Sequence, residues 1–224
     1  MPPCPDERRP HLRLLAMFAA TAVLAAIVLL ADDDVTHWVG ANIRGTAFFD
    51  AANWWTEIGR SNWTFIAAGA VLLIGVVTGR RRLAGGALLL IATVGATGIL
   101  ANLVKVLVGR ARPKLIDDEG HLAFTPFSIG YDWNSFPSGH ATTAMAIAGT
   151  FWVLDPSRRW LWLALGVSVA MTRVAVGAHY AGDIVAGGVL GWWVAIVMSR
   201  STDRWWPHGL RRFADPFPRP ADGD

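Results

Sequence analysis

Between two apolar runs of this 224-residue chain lies the stretch 172–183, which holds a cation, an imidazole and a carboxylate: Arg173, His179 and Asp183. Ionisable groups next to membrane-spanning segments are expensive to bury and default to a functional reading. His179 and Asp183 are four residues apart. On a helix they share a face and can touch. A carboxylate on one ring nitrogen fixes the tautomer and makes the other nitrogen a better nucleophile or base. Arg173 precedes His179 by six residues, across a turn containing Gly177, and could hold an anion in front of that nitrogen. The plainer alternative makes these helix-end residues, with Arg173 snorkelling and the other two in an interfacial turn.

Two further groups resemble this one in kind. Lys105 and Arg112 are seven residues apart, followed by Pro113. Seven residues make about two helical turns, so the two cations point the same way if the helix continues, and Pro113 then ends it. Neighbouring cations repel unless an anion lies between them; snorkelling at a helix end is again the alternative. The tetrapeptide Pro137-Ser138-Gly139-His140 opens an apolar run. Free backbone N–H groups at such a helix start suit a phosphate. Ser138 can cap the helix or donate its hydroxyl to the anion, Gly139 permits close backbone approach, and His140 stands beside the bound group.

The elements that must position these residues are apolar. Hydrophobic residues make up 53% of the chain and the mean hydropathy is +0.37, a membrane composition. The formal charge of +3 and pI near 9.6 do not signal nucleic acid, because the arginines fall in short clusters between apolar runs. The single cysteine, Cys4, supports neither a disulfide nor a metal cluster. The run 14–31 is uncharged and long enough to span, and Asp32-Asp33-Asp34 makes a poor cleavage site, so a retained first helix is expected. Residues 32–62 are too polar to span. Ile43, Ala47, Ala51, Trp54, Trp55 and Ile58 recur there at helical spacing, which predicts one amphipathic helix lying in the interface or packed on the bundle.

Further spans are predicted at 63–78, 83–108, 138–154, 160–172 and 183–198. The Gly- and Ala-rich third span favours close helix packing. The fold class is therefore all-α: a polytopic membrane protein of six transmembrane helices, with an interfacial helix between the first and second. It forms one domain, with a 1–13 N-terminus, a 14–199 core and a 200–224 tail. Residues 1–13, the arginines at 80–82 and 158–159, and the tail carry 13 of the 20 Lys and Arg residues. The positive-inside rule then puts both termini in the cytoplasm. It puts Lys105, the start of the fourth span and the turn after the fifth together at the opposite face.

Lys105-x6-Arg112-Pro113, Pro137-Ser138-Gly139-His140 and Arg173-x5-His179-x3-Asp183 resemble the three-part signature of the type 2 phosphatidic acid phosphatase superfamily. Ten positions match in order and spacing. One departure is Thr172, where the third motif usually has Ser. The resemblance implies that His179 attacks phosphorus to form a phosphohistidine, with Asp183 orienting it. It implies that His140 protonates the leaving oxygen and then activates water. Lys105, Arg112, Ser138, Gly139 and Arg173 hold the phosphoryl oxygens. No metal and no cofactor is expected.

The implied partner is a lipid phosphate or diphosphate in the plasma or inner membrane: undecaprenyl diphosphate, phosphatidic acid, phosphatidylglycerol phosphate or diacylglycerol diphosphate. Phe124, Phe127, Tyr131 and Trp133 are placed to form an entry lip or to anchor the loop at the interface. A phosphotransferase using the same histidine is the alternative. A small anion or lipid transporter is a weaker one, since its charges would gather near the bilayer midplane.

Overall fold

The structure is a computed structural model that describes residues 28, 30–202 and 215–217. The predicted first span therefore lies almost entirely outside the described residues, as does most of the polar tail. Within them the regular structure is helical: α1 (Asp32–Asn42), α2 (Ala47–Thr56), α3 (Ser61–Val77), α4 (Arg81–Val108), α5 (Gly139–Leu154), α6 (Arg159–Ala175) and α7 (Ala181–Arg200). Short 3₁₀ turns and one single-turn helix, Ile116–Glu119, fill the connections.

The five apolar runs after the first form α3 to α7, each within a few residues of its predicted bounds. The 28 residues of α4 and the 20 of α7 are long and apolar enough to cross a membrane. The segment Ala47–Gly59 joins α3 at a 47° bend and passes the same test as one broken span. At 16 and 17 residues, α5 and α6 are at the short end of what a bilayer requires.

The predicted single helix over the connector is two helices. The chain turns at 43–46, and Thr46 caps α2 by accepting the Phe49 N–H at 3.3 Å. Gly45 at φ 81° leaves the helical region just ahead of this cap, so the helical period does not run through. Helix α2 packs on α6 of the bundle, with Trp55 Nε1 donating to Ser168 Oγ at 3.0 Å.

Helix α5 forms the centre of the bundle and packs most extensively on α7 and α6. Small residues permit this. A methyl group on Gly191 would strike the Thr142 carbonyl oxygen, so α7 meets α5 backbone to backbone. The glycines expected to do this in α4 do not all serve it: a methyl on Gly95 or Gly98 would meet nothing within 4 Å. One consequence of the α5–α7 contact is direct: the Ser138 N–H donates to Asp183 O at 3.0 Å, which locks the start of α5 to the first turn of α7.

Candidate active site

The C-terminus of α4, the N-terminus of α5 and the α6–α7 turn meet at one end of the bundle, opposite the arginines at 80–82 and 158–159. Helix α4 stops at Val108 because Gly109 takes the left-handed conformation, φ 59°. A side chain there would also collide with the carbonyl oxygen of Thr125. The expected second turn between Lys105 and Arg112 therefore does not exist. The 110–112 segment runs extended beside 123–125, with Ala111 N donating to Ala123 O at 3.0 Å and Thr125 N to Gly109 O at 2.7 Å. Arg112 reaches the site from this extended segment and Lys105 from the helix.

Arg112 is buried and held from three sides. Its Nε donates to Tyr131 O at 2.9 Å, its Nη1 to Ala178 O at 2.9 Å, and the Tyr131 ring lies 4.0 Å below the guanidinium. The same Nη1 is 3.5 Å from His179 Nε2. Burial pushes the Arg112 guanidinium below its ordinary value. Lys105 Nζ donates to Asn134 O at 2.8 Å and Pro137 O at 2.6 Å, tying down the loop ahead of α5. An ammonium has three N–H groups, so one is left over.

His179 and Asp183 do come together, by a route other than a shared helix face. His179 lies ahead of α7, in the turn made by Gly177 at φ 66°. Asp183 is at the third helical position and accepts the Tyr180 N–H at 3.1 Å through Oδ2, as a capping carboxylate does. This capping contact sets the same Oδ2 3.5 Å from His179 Nδ1. Ser135 Oγ donates to Asp183 Oδ2 at 2.5 Å and lies 3.4 Å from His179 Nδ1. Burial lowers His179 to about 4, only partly offset by its hydrogen bond to Asp183, so the ring is neutral at neutral pH.

Arg173, in the last turn of α6, donates through Nη1 to Thr56 Oγ1 at 2.8 Å, and its Nε is buried with no hydrogen bond among the described residues. Ser138 occupies the N-cap of α5 without capping it. Its Oγ is fully buried and likewise makes no hydrogen bond among the described residues. Ahead of Gly139 there is room, since an added methyl would meet no atom within 4 Å. His140 follows in the first turn of α5, against Gly59, where an added methyl would come within 3.1 Å of its Cδ2. All eight candidate residues thus line one end of the bundle.

Three residues outside the sequence motifs belong to this region: Ser135, Arg110 and Asp32. Arg110 is fully buried, with Nη1 donating to Asp183 Oδ1 at 2.7 Å and Nη2 to Asp32 Oδ2 at 2.9 Å. The one sequence signal for Arg110 is its place two residues before Arg112, which puts both on one side of an extended segment. Desolvation raises Asp32 from its ordinary value, while the Gly182 N–H and the Arg110 guanidinium favour its charged form.

A family model described as the PAP2 superfamily matches residues 86–207. The chain is 43% identical over 136 residues to a lipid A 1-phosphatase of Rhizobium etli, covering 56% of this chain and 59% of that one. It is 32% identical over 103 residues to an undecaprenyl-diphosphatase of Sulfolobus acidocaldarius, covering 44% and 47%. These matches span about half the length of the curated relatives. The fold is similar to the crystal structure of a transmembrane PAP2-type phosphatidylglycerolphosphate phosphatase from Bacillus subtilis. That match has a TM-score of 0.63 and 21% identity, over 87% of this chain and 98% of the other.

Proposed function

This chain belongs to the PAP2 superfamily, and on that premise we propose that it is a membrane lipid phosphate or diphosphate phosphatase working through a phosphohistidine. The observation that carries the reading is the position of the His179 ring. Its Nδ1 faces the Asp183 carboxylate at 3.5 Å while its Nε2 faces Arg112 Nη1 at 3.5 Å. With the proton held on Nδ1, the lone pair of Nε2 points to where a guanidinium would hold a phosphoryl oxygen.

The Nε2 lone pair forms a bond to phosphorus as the bond from phosphorus to the leaving oxygen breaks, and His140 gives that oxygen its proton. Water then attacks the phosphorus of the phosphohistidine. Its proton passes to His140, the N–P bond breaks, and inorganic phosphate leaves. Positive charge develops on the ring during the first step, and Asp183 stabilises it. Phosphoryl transfer needs mainly positioning and stabilisation of the equatorial oxygens. Lys105, Arg112 and Arg173 supply the charge, and Ser138 Oγ and the Gly139 N–H add donors. Two of these donors, Arg173 Nε and Ser138 Oγ, are buried without a protein partner among the described residues; a phosphoryl oxygen would satisfy them. Three fixed cations can serve here without a metal ion.

A lipid tail is supported by an apolar cleft of about 1530 Å³ between α3, α4 and α5, lined by Trp63, Val71, Leu90 and Phe151 among others. Glu57 and Ile58 are among the residues that line it. The adjoining Gly59 lies against the site, since a methyl there would come within 3.1 Å of His140 Cδ2. In the membrane the domain has six spans, both termini in the cytoplasm and the site at the outer face, following the distribution of basic residues.

The test is release of inorganic phosphate by purified protein from undecaprenyl diphosphate, phosphatidic acid, phosphatidylglycerol phosphate and diacylglycerol diphosphate, with and without chelator. Lipid A 1-phosphate joins the panel because the Rhizobium etli relative is named for it. Release that matches substrate consumed and survives the chelator is expected. Loss of one lipid phosphate with gain of another would make the protein a phosphotransferase.

A further inference from the structure

Asp32 and Arg110 touch no group that meets phosphate in the proposed reaction, yet both are built into its carboxylate. Arg110 sets Nη1 on Asp183 Oδ1 at 2.7 Å and Nη2 on Asp32 Oδ2 at 2.9 Å, and all three side chains are fully buried. The other oxygen of Asp32, Oδ1, accepts the N–H of Gly182 at 2.8 Å, one residue before Asp183. Asp32 therefore grips the catalytic carboxylate twice, through Arg110 and through the backbone that carries it. Arg110 is fixed in turn by His121 O, at 2.8 Å from Nη2, and by the Tyr180 ring, 4.1 Å from its guanidinium carbon. The two oxygens of the Asp183 carboxylate are thereby divided between partners. Arg110 holds Oδ1, while Oδ2 caps α7 and faces His179.

The charges make the second carboxylate necessary. A guanidinium this close to Asp183, in a low-dielectric surrounding, would cancel the negative charge that the ring of His179 needs when Nε2 attacks phosphorus. Asp32 cancels the guanidinium instead. Together Asp32, Arg110 and Asp183 carry one net negative charge, as a lone aspartate would, but in a fixed orientation.

We propose that Asp32 and Arg110 are positioning residues for the reaction: Arg110 fixes the Asp183 carboxylate, and Asp32 neutralises Arg110 so that the charge of Asp183 remains available to His179. This rests on the assignment of His179 as nucleophile.

The experiment compares Asp32→Asn, Arg110→Lys and His179→Ala with the full-length wild-type protein in detergent. It measures kcat and KM on the best substrate of the panel and the inhibition constant of inorganic phosphate. Both positioning variants are expected to lower kcat about tenfold to a hundredfold, the loss seen when an outer-shell partner that orients a metal-ligating side chain is removed. The phosphate inhibition constant is expected to stay within about twofold or to tighten for Asp32→Asn, because the phosphate-binding cations are untouched and the site becomes more positive. A site merely distorted by bad packing would bind phosphate more weakly, and that result overturns the proposal. So does unchanged kcat in either variant. Arg110→Lys keeps the charge and most of the volume, and it decides the matter if Asp32→Asn does not fold. A lysine ammonium replaces the planar fork that bridges both carboxylates, so kcat must still fall. An active His179→Ala protein removes the nucleophile assignment itself. An inactive one beside fully active Asp32→Asn and Arg110→Lys removes only the positioning role.

Discussion

Arg112 Nη1 lies 3.5 Å from His179 Nε2, with the same nitrogen donating to Ala178 O one residue earlier. The cation proposed to hold a phosphoryl oxygen is thus fixed to the backbone of the residue next to the proposed nucleophile, His179. Tyr131, through its carbonyl and its ring, holds the guanidinium from the other side.

Arg112→Lys should separate this geometry from charge alone. Lysine keeps the cation but cannot donate to Tyr131 O and Ala178 O together while stacking on Tyr131. The expected loss is about 2–3 kcal/mol of transition-state stabilisation, roughly a 30- to 150-fold fall in kcat/KM. Leaving a buried carbonyl unsatisfied should also lower the melting temperature, so activity is compared per folded molecule. Initial rates of phosphate release and a melting curve in detergent measure both.

The extent to which this site is legible in the sequence differs by residue, for physical reasons. Apolar helices are written as unbroken apolar runs, so α3 to α7 are visible. The pairing of His179 with Asp183 is visible from their spacing, although a capping turn delivers it instead of a helix face. The alignment of Lys105 and Arg112 by helical turns fails, because Gly109 stops α4 in the left-handed conformation. On a continuous helix Arg110 would fall on another face than Arg112, which hides it. Asp32 has no local signal: its partners Arg110 and Gly182 are 78 and 150 residues away, and no sequence period reaches that far.

Gly109→Ala tests the stop itself. The left-handed conformation costs a non-glycine residue about 1–2 kcal/mol, and the added methyl would also strike Thr125. The 109–112 and 123–125 segments must separate, and both Arg110 and Arg112 lose their positions. Activity should fall by more than Arg112→Lys alone, together with a lower melting temperature. A variant that melts normally and turns over normally would show that this segment does not set the site.

The depressed value of His179 gives a stability signature with a definite sign. Its ordinary value of 6.5 falls to about 4 on folding, mainly through burial, with Arg112 and Lys105 adding to the shift and Asp183 opposing it. Between those values the unfolded chain takes up a proton that the folded one refuses. The contribution is therefore complete above about pH 6.5 and is lost as pH falls towards 4, by roughly 3 kcal/mol in all. Melting temperature against pH should fall more steeply over that window for wild type than for His179→Asn. Parallel curves would mean that His179 is not held neutral.

Ser138→Ala sets stability against activity. Ser138 Oγ is buried at the head of α5, does not cap the helix, and has no hydrogen bond among the described residues. An unsatisfied buried hydroxyl costs the fold about 1–3 kcal/mol, so its removal should leave the melting temperature unchanged or higher. If the hydroxyl donates to a phosphoryl oxygen, the same change removes one donor from the transition state. The expected penalty is about 1.5–3 kcal/mol, or roughly tenfold to 150-fold in kcat/KM. A hydroxyl kept for folding would give the reverse pair of results, lower stability with turnover per folded molecule intact. Kinetics normalised to the folded fraction, beside a melting curve of the same preparation, decide between them.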